Sequence, residues 1–197
     1  MIPVKSLMQS KRRLAHILAP EARAQLIAGL LRRELALLKG VPALREVLVI
    51  SSDPQVWEIA RGSGALVVEE EPVSPGLNAA VSRGMRRAAE EGAEAVLILP
   101  VDLPYIDALG VEMMLGSGQI PCEMAVCADE AGSGTNALFL HPARDFGFHF
   151  GPGSFHKHMQ EAQERGREVR VISAPGLKFD IDNESDWLVY QASSVGC

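Results

Sequence analysis

The sequence predicts an α/β fold: a mostly parallel, mixed sheet with helices on both faces. Short β-branched runs alternate with amphipathic helical segments, and this alternation is typical of βαβ crossovers. Three strand-like runs crowd together between residues 123 and 173, so we expect an antiparallel strand or hairpin to join the sheet there. The length of 197 residues fits a single domain spanning residues 1–197.

The first half of the chain supplies four predicted strands and three predicted helices. Leucines and isoleucines recur at helical spacing between Pro20 and Lys39, and Gly40 follows them, which is typical of an amphipathic helix and its end. Short apolar runs bounded by turn-forming residues indicate strands. The predicted strands cover residues 2–4, 46–51, 65–70 and 95–101, and the other two helices cover 55–61 and 78–91.

The second half follows the same logic with less regular alternation. The runs EMAVCAD, TNALFLH and EVRVIS are apolar and short, as buried strands are. The segments between and around them carry helical periodicity. We therefore expect strands at residues 123–129, 135–141 and 168–173, and helices at 107–115, 154–165 and 185–192.

Composition argues against several classes of function. A net charge of −6 and a pI near 5.4 disfavour nonspecific nucleic-acid binding, which needs a basic face. No apolar run approaches the ~20 residues that span a bilayer, and no signal peptide is recognisable. Cys122, Cys127 and Cys197 lack the CxxC spacing of a metal cluster. We expect a cytoplasmic protein with reduced thiols and with neither nucleic acid nor membrane as a partner.

Three aspartates are the candidates for a metal site. Asp102 follows a predicted strand, and open α/β sheets bind ligands beyond the carboxyl ends of their strands. Asp180 and Asp182 flank Ile181, so both would project to one side of an extended strand, where their repulsion favours a bound cation. Oxygen ligands alone indicate Mg²⁺ or Mn²⁺. The alternative is structural: Asp102 makes a turn between prolines, and Asp182 or Asn183 caps the last helix.

A basic cluster near the start of the chain supplies the opposite charge. Lys5, Lys11, Arg12 and Arg13 lie within nine residues, directly after the predicted first strand. This position suits the binding of a nucleoside triphosphate, although such a basic cluster can also be part of a solvent-exposed surface. The sequence contains neither GxxxxGK[ST] nor GxGxxG, so side-chain cations and metal would hold the nucleotide.

Two glycine-containing turns are candidates for binding a ligand. Gly132 and Gly134 would let the main chain approach a ligand. The sequence FGPGSFHKH opens a predicted helix, whose free amides and dipole favour an anion. The candidates in these two turns are Thr135, Asn136, Gly151, Gly153 and Ser154.

Three other polar side chains have two interpretations each. Asn78, which follows Gly76, either caps a helix or recognises a base. His156 and His158 have the alternate spacing of a ligand pair, but residues i and i+2 point apart on a helix. We therefore expect both histidines at the surface.

The combination of motifs resembles one enzyme family. PVKSL…SKRRL, GLNAAV, LPVDLP, SGTNALFL, FGPGSFHKH and DIDNESDW occur in this order, as in the 2-phospho-L-lactate/phosphoenolpyruvate guanylyltransferases of deazaflavin coenzyme F-420 biosynthesis. The resemblance spans nearly the whole chain. It implies a single nucleotidyltransferase domain with a nucleotide-diphosphosugar-transferase-like, Rossmann-like fold. It also implies Mg²⁺-dependent transfer of GMP from GTP onto the phosphate of phosphoenolpyruvate or 2-phospho-L-lactate, with release of pyrophosphate.

The resemblance also implies roles for individual residues. Asp102, Asp180 and Asp182 match the metal ligands, and Lys5, Lys11 and Arg13 match catalytic residues that contact the nucleotide. Thr135, Gly151 and Ser154 match the acceptor site, with Asn136 and Gly153 beside them, and Gly76 and Asn78 complete the expected nucleotide site. The oligomeric state stays open, with a homodimer as one option.

Two other functions remain compatible with the sequence. One is a different nucleotidyltransferase, of the molybdopterin or sugar-phosphate type; many of these open with LAGGxSxRM, which this chain lacks. The other is a noncatalytic nucleotide-binding domain of the same fold. A screen of acceptors with GTP, ATP and CTP would distinguish another nucleotidyltransferase from a guanylyltransferase. Nucleotide binding without pyrophosphate release would identify the noncatalytic domain.

Overall fold

A computed structural model of the chain describes residues 1–70, 76–116 and 123–194. Two of the three cysteines, Cys122 and Cys197, lie outside these residues, and Cys127 is a buried free thiol. Within the described residues, no helix is both long enough and apolar enough to cross a membrane.

Within the described residues, seven strands and seven α-helices follow one another in the predicted alternation. The strands are β1 Ile2–Pro3, β2 Leu48–Ser51, β3 Leu66–Glu69, β4 Val96–Ile98, β5 Met124–Ala128, β6 Thr135–Leu140 and β7 Val169–Val171. The helices are α1 Pro20–Lys39, α2 Pro54–Gly62, α3 Leu77–Glu90, α4 Ala108–Leu115, α5 Ser154–Glu164, α6 Pro175–Lys178 and α7 Glu184–Ser194.

The sheet is mixed and mostly parallel, as predicted. One group of strands has the order β1-β2-β3 and the other β4-β6-β5-β7. The groups are joined at Met1, whose nitrogen donates to Leu97 O (2.6 Å) and whose carbonyl accepts from Leu99 N (3.0 Å). Only β6 runs antiparallel to its neighbours, β4 and β5. It is the antiparallel strand expected in the second half of the chain.

The reversed strand β6 determines what lies at the carboxyl end of β4. Ile98 at the end of β4 pairs with Leu138, so the residues that begin β6, Thr135 and Asn136, lie at the edge where β4 ends. The loop after β1 reaches the same edge, because β1 and β4 run parallel. Residues distant in sequence are thereby collected at one edge of the sheet, where open α/β sheets bind ligands.

The predicted elements are all present, and the differences are at their ends. The strand predicted over 95–101 stops at Ile98 because Pro100, lacking an N–H group, cannot continue the ladder. The short helix α6 and two 3₁₀ turns, Leu7–Gln9 and Arg12–Leu14, were not predicted. Segments this short carry too few residues to show a helical period.

Helices cover both faces of the sheet because successive residues of each strand point to opposite sides. Val49 and Leu97 join a buried cluster with α1, α2, α4 and α6. Ile50 and Ile98 join a second cluster, with α3 and α5. The carboxyl edge of the strands is left for loops.

Asp53 holds the loop after β1 in place. The carboxylate is almost fully buried and accepts from Leu7 N (2.8 Å) and Ser6 Oγ (3.1 Å). Its other oxygen accepts from Gln55 N (2.9 Å), which makes Asp53 the N-cap of α2. One side chain therefore fixes the helix start and the loop that carries the predicted basic cluster.

Replacing Asp53 by alanine will destabilise the fold by about 2–4 kcal/mol, because a cap is lost and the buried Leu7 N–H loses its partner. Asp107→Ala is the matched control, since Asp107 caps α4 through Gly110 N (2.7 Å) and is exposed. It should cost about 1 kcal/mol. Urea unfolding of both variants measures the difference, and equal losses would show that the loop contact contributes nothing.

Candidate functional site

Three loops meet at the carboxyl edge of the sheet and carry the candidate site. They are the loop after β1, the turn after β4 that contains Asp102, and the segment between α6 and α7 that contains Asp180 and Asp182. The last two are joined by a hydrogen bond from Ile181 N to Asp102 O (3.1 Å). The Ile181 side chain is fully buried and anchors its segment between the two aspartates.

The structure brings the three predicted metal-binding carboxylates together. Each of Asp102, Asp180 and Asp182 offers one oxygen, and the three oxygens lie within 4.8 Å of one another. The prediction that Asp180 and Asp182 lie on a strand was wrong, since residues 179–183 belong to no strand. Their side chains nevertheless converge because Ile181 between them turns into the core. A set of three hard, partly exposed carboxylates fits a divalent cation of the Mg²⁺ class.

The start of α7 shows why Asp182 is available to the site. Asn183 caps the helix: its Oδ1 accepts from Asp186 N (3.2 Å), while Asp186 Oδ2 accepts from Asn183 N (2.9 Å). This reciprocal arrangement is a capping box. Asp186 also accepts from Asp182 N (2.8 Å). Of the two predicted caps, Asn183 is therefore the one used, and the Asp182 carboxylate faces the other aspartates.

Lys11 places an ammonium group among the carboxylates. Its Nζ contacts Asp102 closely and lies 3.0 Å from Asp182 Oδ1, with only 8% of the side chain exposed. The backbone of Lys11 is left-handed (φ 50°, ψ 44°), a conformation that costs a non-glycine residue about 1–2 kcal/mol. Arg13 adds an exposed contact to Asp182 Oδ2 (3.3 Å). The strained backbone conformation of Lys11 thus coincides with the contact of its side chain with the carboxylates, as is common at functional sites.

The electrostatics of the cluster differ from one carboxylate to the next. Burial raises the pKa of Asp180 to about 6, opposed by its hydrogen bond from Asn136 and reinforced by Asp102 and Asp182. Burial also acts against ionisation of Asp182, but Lys11, with Arg13 and Lys5, outweighs it and lowers the pKa of Asp182. The Lys11 ammonium is disfavoured by burial, yet the two carboxylates raise its pKa. Asp102 and Asp182 are thus paired with the Lys11 ammonium, whereas Asp180 has no ion-pair partner among the described residues.

The Asn136 side chain contacts the carboxylate cluster. Its Nδ2 donates to Lys178 O (2.9 Å) and to Asp180 Oδ1 (3.1 Å). Both amide hydrogens are committed to these partners. The amide nitrogen therefore orients a carboxylate of the cluster, and the assignment of Asn136 to substrate binding stays a prediction.

Hydrogen bonds within the protein account for part of the two glycine-containing turns, before β6 and before α5. Asp129 accepts from Ser133 N and Gly134 N (both 2.8 Å), and a Cβ on Gly134 would lie 2.5 Å from the Asp129 carboxylate. At the start of α5, Ser154 N donates to Gly151 O and Phe155 N to Ser133 O (both 3.0 Å). These two amides are therefore not open to an anion, and an anion at this helix start would have to use other groups.

The same contacts assemble the predicted acceptor residues. Phe155 N on Ser133 O draws the start of α5 against the turn before Thr135. Gly151 and Gly153 have positive φ values of 123° and 70°, which glycine adopts without strain. Ser154 is buried at the first position of α5. The start of α5, with Gly151, Gly153 and Ser154, therefore lies beside Thr135.

Asn78 connects α3 to the same glycine-containing loop. Its Oδ1 accepts from Phe150 N (2.7 Å) and its Nδ2 donates to Phe150 O (3.1 Å). The N-cap position of α3 belongs to Gly76, with φ 136°. The side chain of Asn78 is therefore neither a helix cap nor, through these two atoms, a free base-recognition group; it holds the loop beside Gly151.

The prediction that His158 lies at the surface was wrong. Its side chain is fully buried, with Nδ1 3.0 Å from Thr135 Oγ1 and Nε2 accepting from His149 N (3.0 Å). His156, two residues earlier, is exposed as expected. The available signal was the spacing to Ser154, since residues i and i+4 share one face of a helix.

Comparison with known proteins gives one consistent result. A family model described as guanylyl transferase CofC like matches residues 1–190. A phosphoenolpyruvate guanylyltransferase from Rubrobacter xylanophilus is 47% identical over 193 residues, covering 98% of this chain and 92% of that protein. A 2-phospho-L-lactate guanylyltransferase from Methanothermobacter thermautotrophicus is 35% identical over 187 residues, covering 94% and 80%.

A solved structure supports the predicted fold. A chain from Desulfovibrio desulfuricans G20, named as a nucleotide-diphospho-sugar transferase, aligns with a TM-score of 0.77 over 99% of this chain and 86% of that one. The two sequences are 15% identical. The nucleotide-diphosphosugar-transferase-like architecture predicted from the motifs is thus confirmed at the level of the fold.

The buried His158 ring predicts an acid-sensitive contribution to stability. Burial, with His149 nearby, lowers its pKa to about 4, below the ordinary 6.5. Between these values the unfolded chain binds a proton that the folded chain does not, so the contribution is lost as pH falls. Glu161, also nearby, stays ionised because the His149 hydrogen bond lowers its pKa to about 2.

From pH 7 to pH 5, wild-type protein should lose about 2 kcal/mol more unfolding free energy than His158→Gln, which cannot titrate. Urea unfolding at the two pH values measures this difference. His156→Gln, an exposed control on the same helix, should keep the wild-type dependence. An unchanged pH dependence in His158→Gln would contradict the assignment of a neutral buried ring.

Proposed function

Because this chain belongs to the CofC-like guanylyl transferase family, we propose that it transfers GMP from GTP onto the phosphate of a three-carbon phospho-acid and releases pyrophosphate. The acceptor is phosphoenolpyruvate or 2-phospho-L-lactate, the compounds named for the two curated relatives. Phosphoenolpyruvate is the first choice because the 47%-identical relative is named for it.

One observation carries the proposal: cations and carboxylates from distant parts of the chain face each other at one edge of the sheet. The reaction must bring two polyanions together, and at ~4 Å each unit-charge repulsion costs about 4 kcal/mol at an effective dielectric of ~20. Lys11 and Arg13 already lie at the carboxylates, and Lys5 contributes to their potential. The site is therefore built to balance negative charge.

The three carboxylates would bind a divalent cation that neutralises further phosphate charge. We assign Asp102, Asp180 and Asp182 as the residues that would hold Mg²⁺, with Mn²⁺ as a substitute, because their oxygens converge within 4.8 Å. When bound, such an ion neutralises phosphate charge and polarises the phosphoryl group under attack. Asn136 keeps the Asp180 oxygen directed into the cluster.

The side chains of this protein bind and orient the two substrates. Lys5, Lys11 and Arg13 neutralise the β- and γ-phosphates of GTP. On the other side, Thr135 and Ser154 hold the acceptor in line with the α-phosphate, so that positioning supplies much of the rate. The acceptor oxygen belongs to a phosphate monoester that is already anionic near neutral pH, so no general base is required.

Pyrophosphate release from GTP with each acceptor, in Mg²⁺ and after chelation, tests the proposal. We expect metal-dependent release and a guanylylated acceptor of the corresponding mass, with ATP and CTP much poorer donors. GTP binding without release from either acceptor would identify a noncatalytic nucleotide-binding domain. Turnover that persists without divalent metal would contradict the assignment of the three aspartates.

A matched pair of variants ties the activity to the cluster. Asp180→Asn should lower kcat by about 100-fold or more, because it removes one charge from the metal-binding set. Asp186→Asn lies in the same segment but alters the helix cap, so it should retain turnover. Equal losses of kcat in the two variants would show that activity depends on the conformation of this segment and not on the Asp180 carboxylate.

Lys11→Met should change metal and nucleotide binding in opposite directions. Without nucleotide, the ammonium occupies the contacts to Asp102 and Asp182 that a metal ion needs. Removing it should tighten Mn²⁺ binding by about tenfold, whereas the KM for GTP should rise because the phosphates lose a cation.

Calorimetric titration with Mn²⁺ and steady-state kinetics measure the two effects. Arg12→Met, which removes an exposed neighbouring cation, is the control and should change both far less. Weaker Mn²⁺ binding in Lys11→Met would contradict competition between the ammonium and the metal for the same carboxylates.

A further inference from the structure

We propose that His158 is a positioning residue for the acceptor: it fixes the Thr135 hydroxyl so that the threonine proton points to the bound phospho-acid. This inference rests on the proposed function, which assigns Thr135 to the acceptor site. It concerns a side chain that the family motifs did not mark for any role and that touches no substrate itself.

The hydrogen bonds determine which ring nitrogen carries the proton. His149 N donates to His158 Nε2 (3.0 Å), so that nitrogen is an acceptor and has no hydrogen. A neutral imidazole with a bare Nε2 carries its hydrogen on Nδ1. Nδ1 lies 3.0 Å from Thr135 Oγ1. His158 is therefore the donor in this contact, and the Thr135 oxygen is the acceptor.

The direction of that bond decides what Thr135 can offer a ligand. A hydroxyl group has one hydrogen and two acceptor lone pairs. Because the contact with His158 uses a lone pair, the Thr135 hydrogen remains available as a donor. A phosphate or carboxylate oxygen of the acceptor is the matching partner. Thr135 begins β6 on the face covered by α5, which starts at Ser154, so this donor lies beside the other residues assigned to the acceptor.

The surroundings of His158 keep the ring in this state. The side chain is fully buried, with the Phe150 ring edge-on at 4.8 Å and the Phe146 ring at 5.9 Å between centroids. Desolvation disfavours the imidazolium, which would put a hydrogen on Nε2 against the His149 N–H. A ring so enclosed has no path to bind or relay a proton to substrate. Its effect on the reaction passes through Thr135.

The same ring joins the two halves of the acceptor site. Its Nδ1 contacts β6 at Thr135, and its Nε2 holds His149, two residues before Gly151 in the glycine-containing loop. Asn78 holds that loop from the other side through Phe150. The loop and the threonine therefore have a fixed spacing before any ligand arrives, as preorganised binding requires.

Two substitutions of His158 separate its two hydrogen bonds. A glutamine amide reaches the position of Nε2 and can accept from His149 N, but it leaves Thr135 without its donor. An asparagine amide reaches the position of Nδ1 and can donate to Thr135, but it releases His149. His156→Gln, exposed on the same helix, is the matched control.

With GTP saturating, His158→Gln should raise the KM for the acceptor about tenfold, the effect of one misdirected hydrogen bond, with the KM for GTP nearly unchanged. His158→Asn should restore most of the acceptor affinity. Thr135→Val should match His158→Gln, and the double variant should be no worse than either single variant, because both changes remove the same donor.

Each outcome supports or overturns the inference. An acceptor KM in His158→Gln equal to that of His156→Gln overturns it, and so do additive effects of His158→Gln and Thr135→Val. Equal acceptor KM values in the asparagine and glutamine variants also overturn it, since a purely structural histidine would not distinguish them. Wild-type protein that releases no pyrophosphate with any acceptor refutes the proposed function itself, which is a separate result.

Discussion

The mutual repulsion of three carboxylates is the constraint on which the site depends. Asp102, Asp180 and Asp182 present oxygens within 4.8 Å of one another, an arrangement that disfavours the folded chain unless cations or donors compensate. The Asn136 side chain, the Lys11 ammonium and the Arg13 guanidinium supply that compensation. In the described structure the cation among these carboxylates is the Lys11 ammonium, with Arg13 at the exposed side of Asp182.

The topology of the sheet makes this arrangement possible. Parallel strands bring the loops after β1 and β4 to one edge, and the reversed strand β6 starts at that edge, where its first residues meet both the carboxylates and α5. The residues that we assign to the nucleotide, to the metal and to the acceptor are therefore contributed by different loops at one edge of the sheet. Transfer between two polyanions then depends on fixed charge and position, with no proton carrier required.

How much the sequence predicted depended on the range of the contacts involved. The strand–helix alternation and the spacing of Asp180 and Asp182 are local patterns, and both pointed correctly to the fold and to converging carboxylates. The roles of Asn78, Asn136 and His158 depend on partners 72, 44 and 23 residues away. No local period records such contacts, so Asn136 was assigned to substrate and His158 to the surface. In each case the structure shows a hydrogen bond to a loop or side chain far away in the sequence.

A crystal structure with Mn²⁺ and a non-hydrolysable GTP analogue tests the central claim most directly. We expect an anomalous scattering peak bounded by oxygens of Asp102, Asp180 and Asp182, with Lys11 Nζ moved from those carboxylates to the triphosphate. A peak located elsewhere, or a bound triphosphate with Lys11 still the sole cation among the three aspartates, would contradict the account.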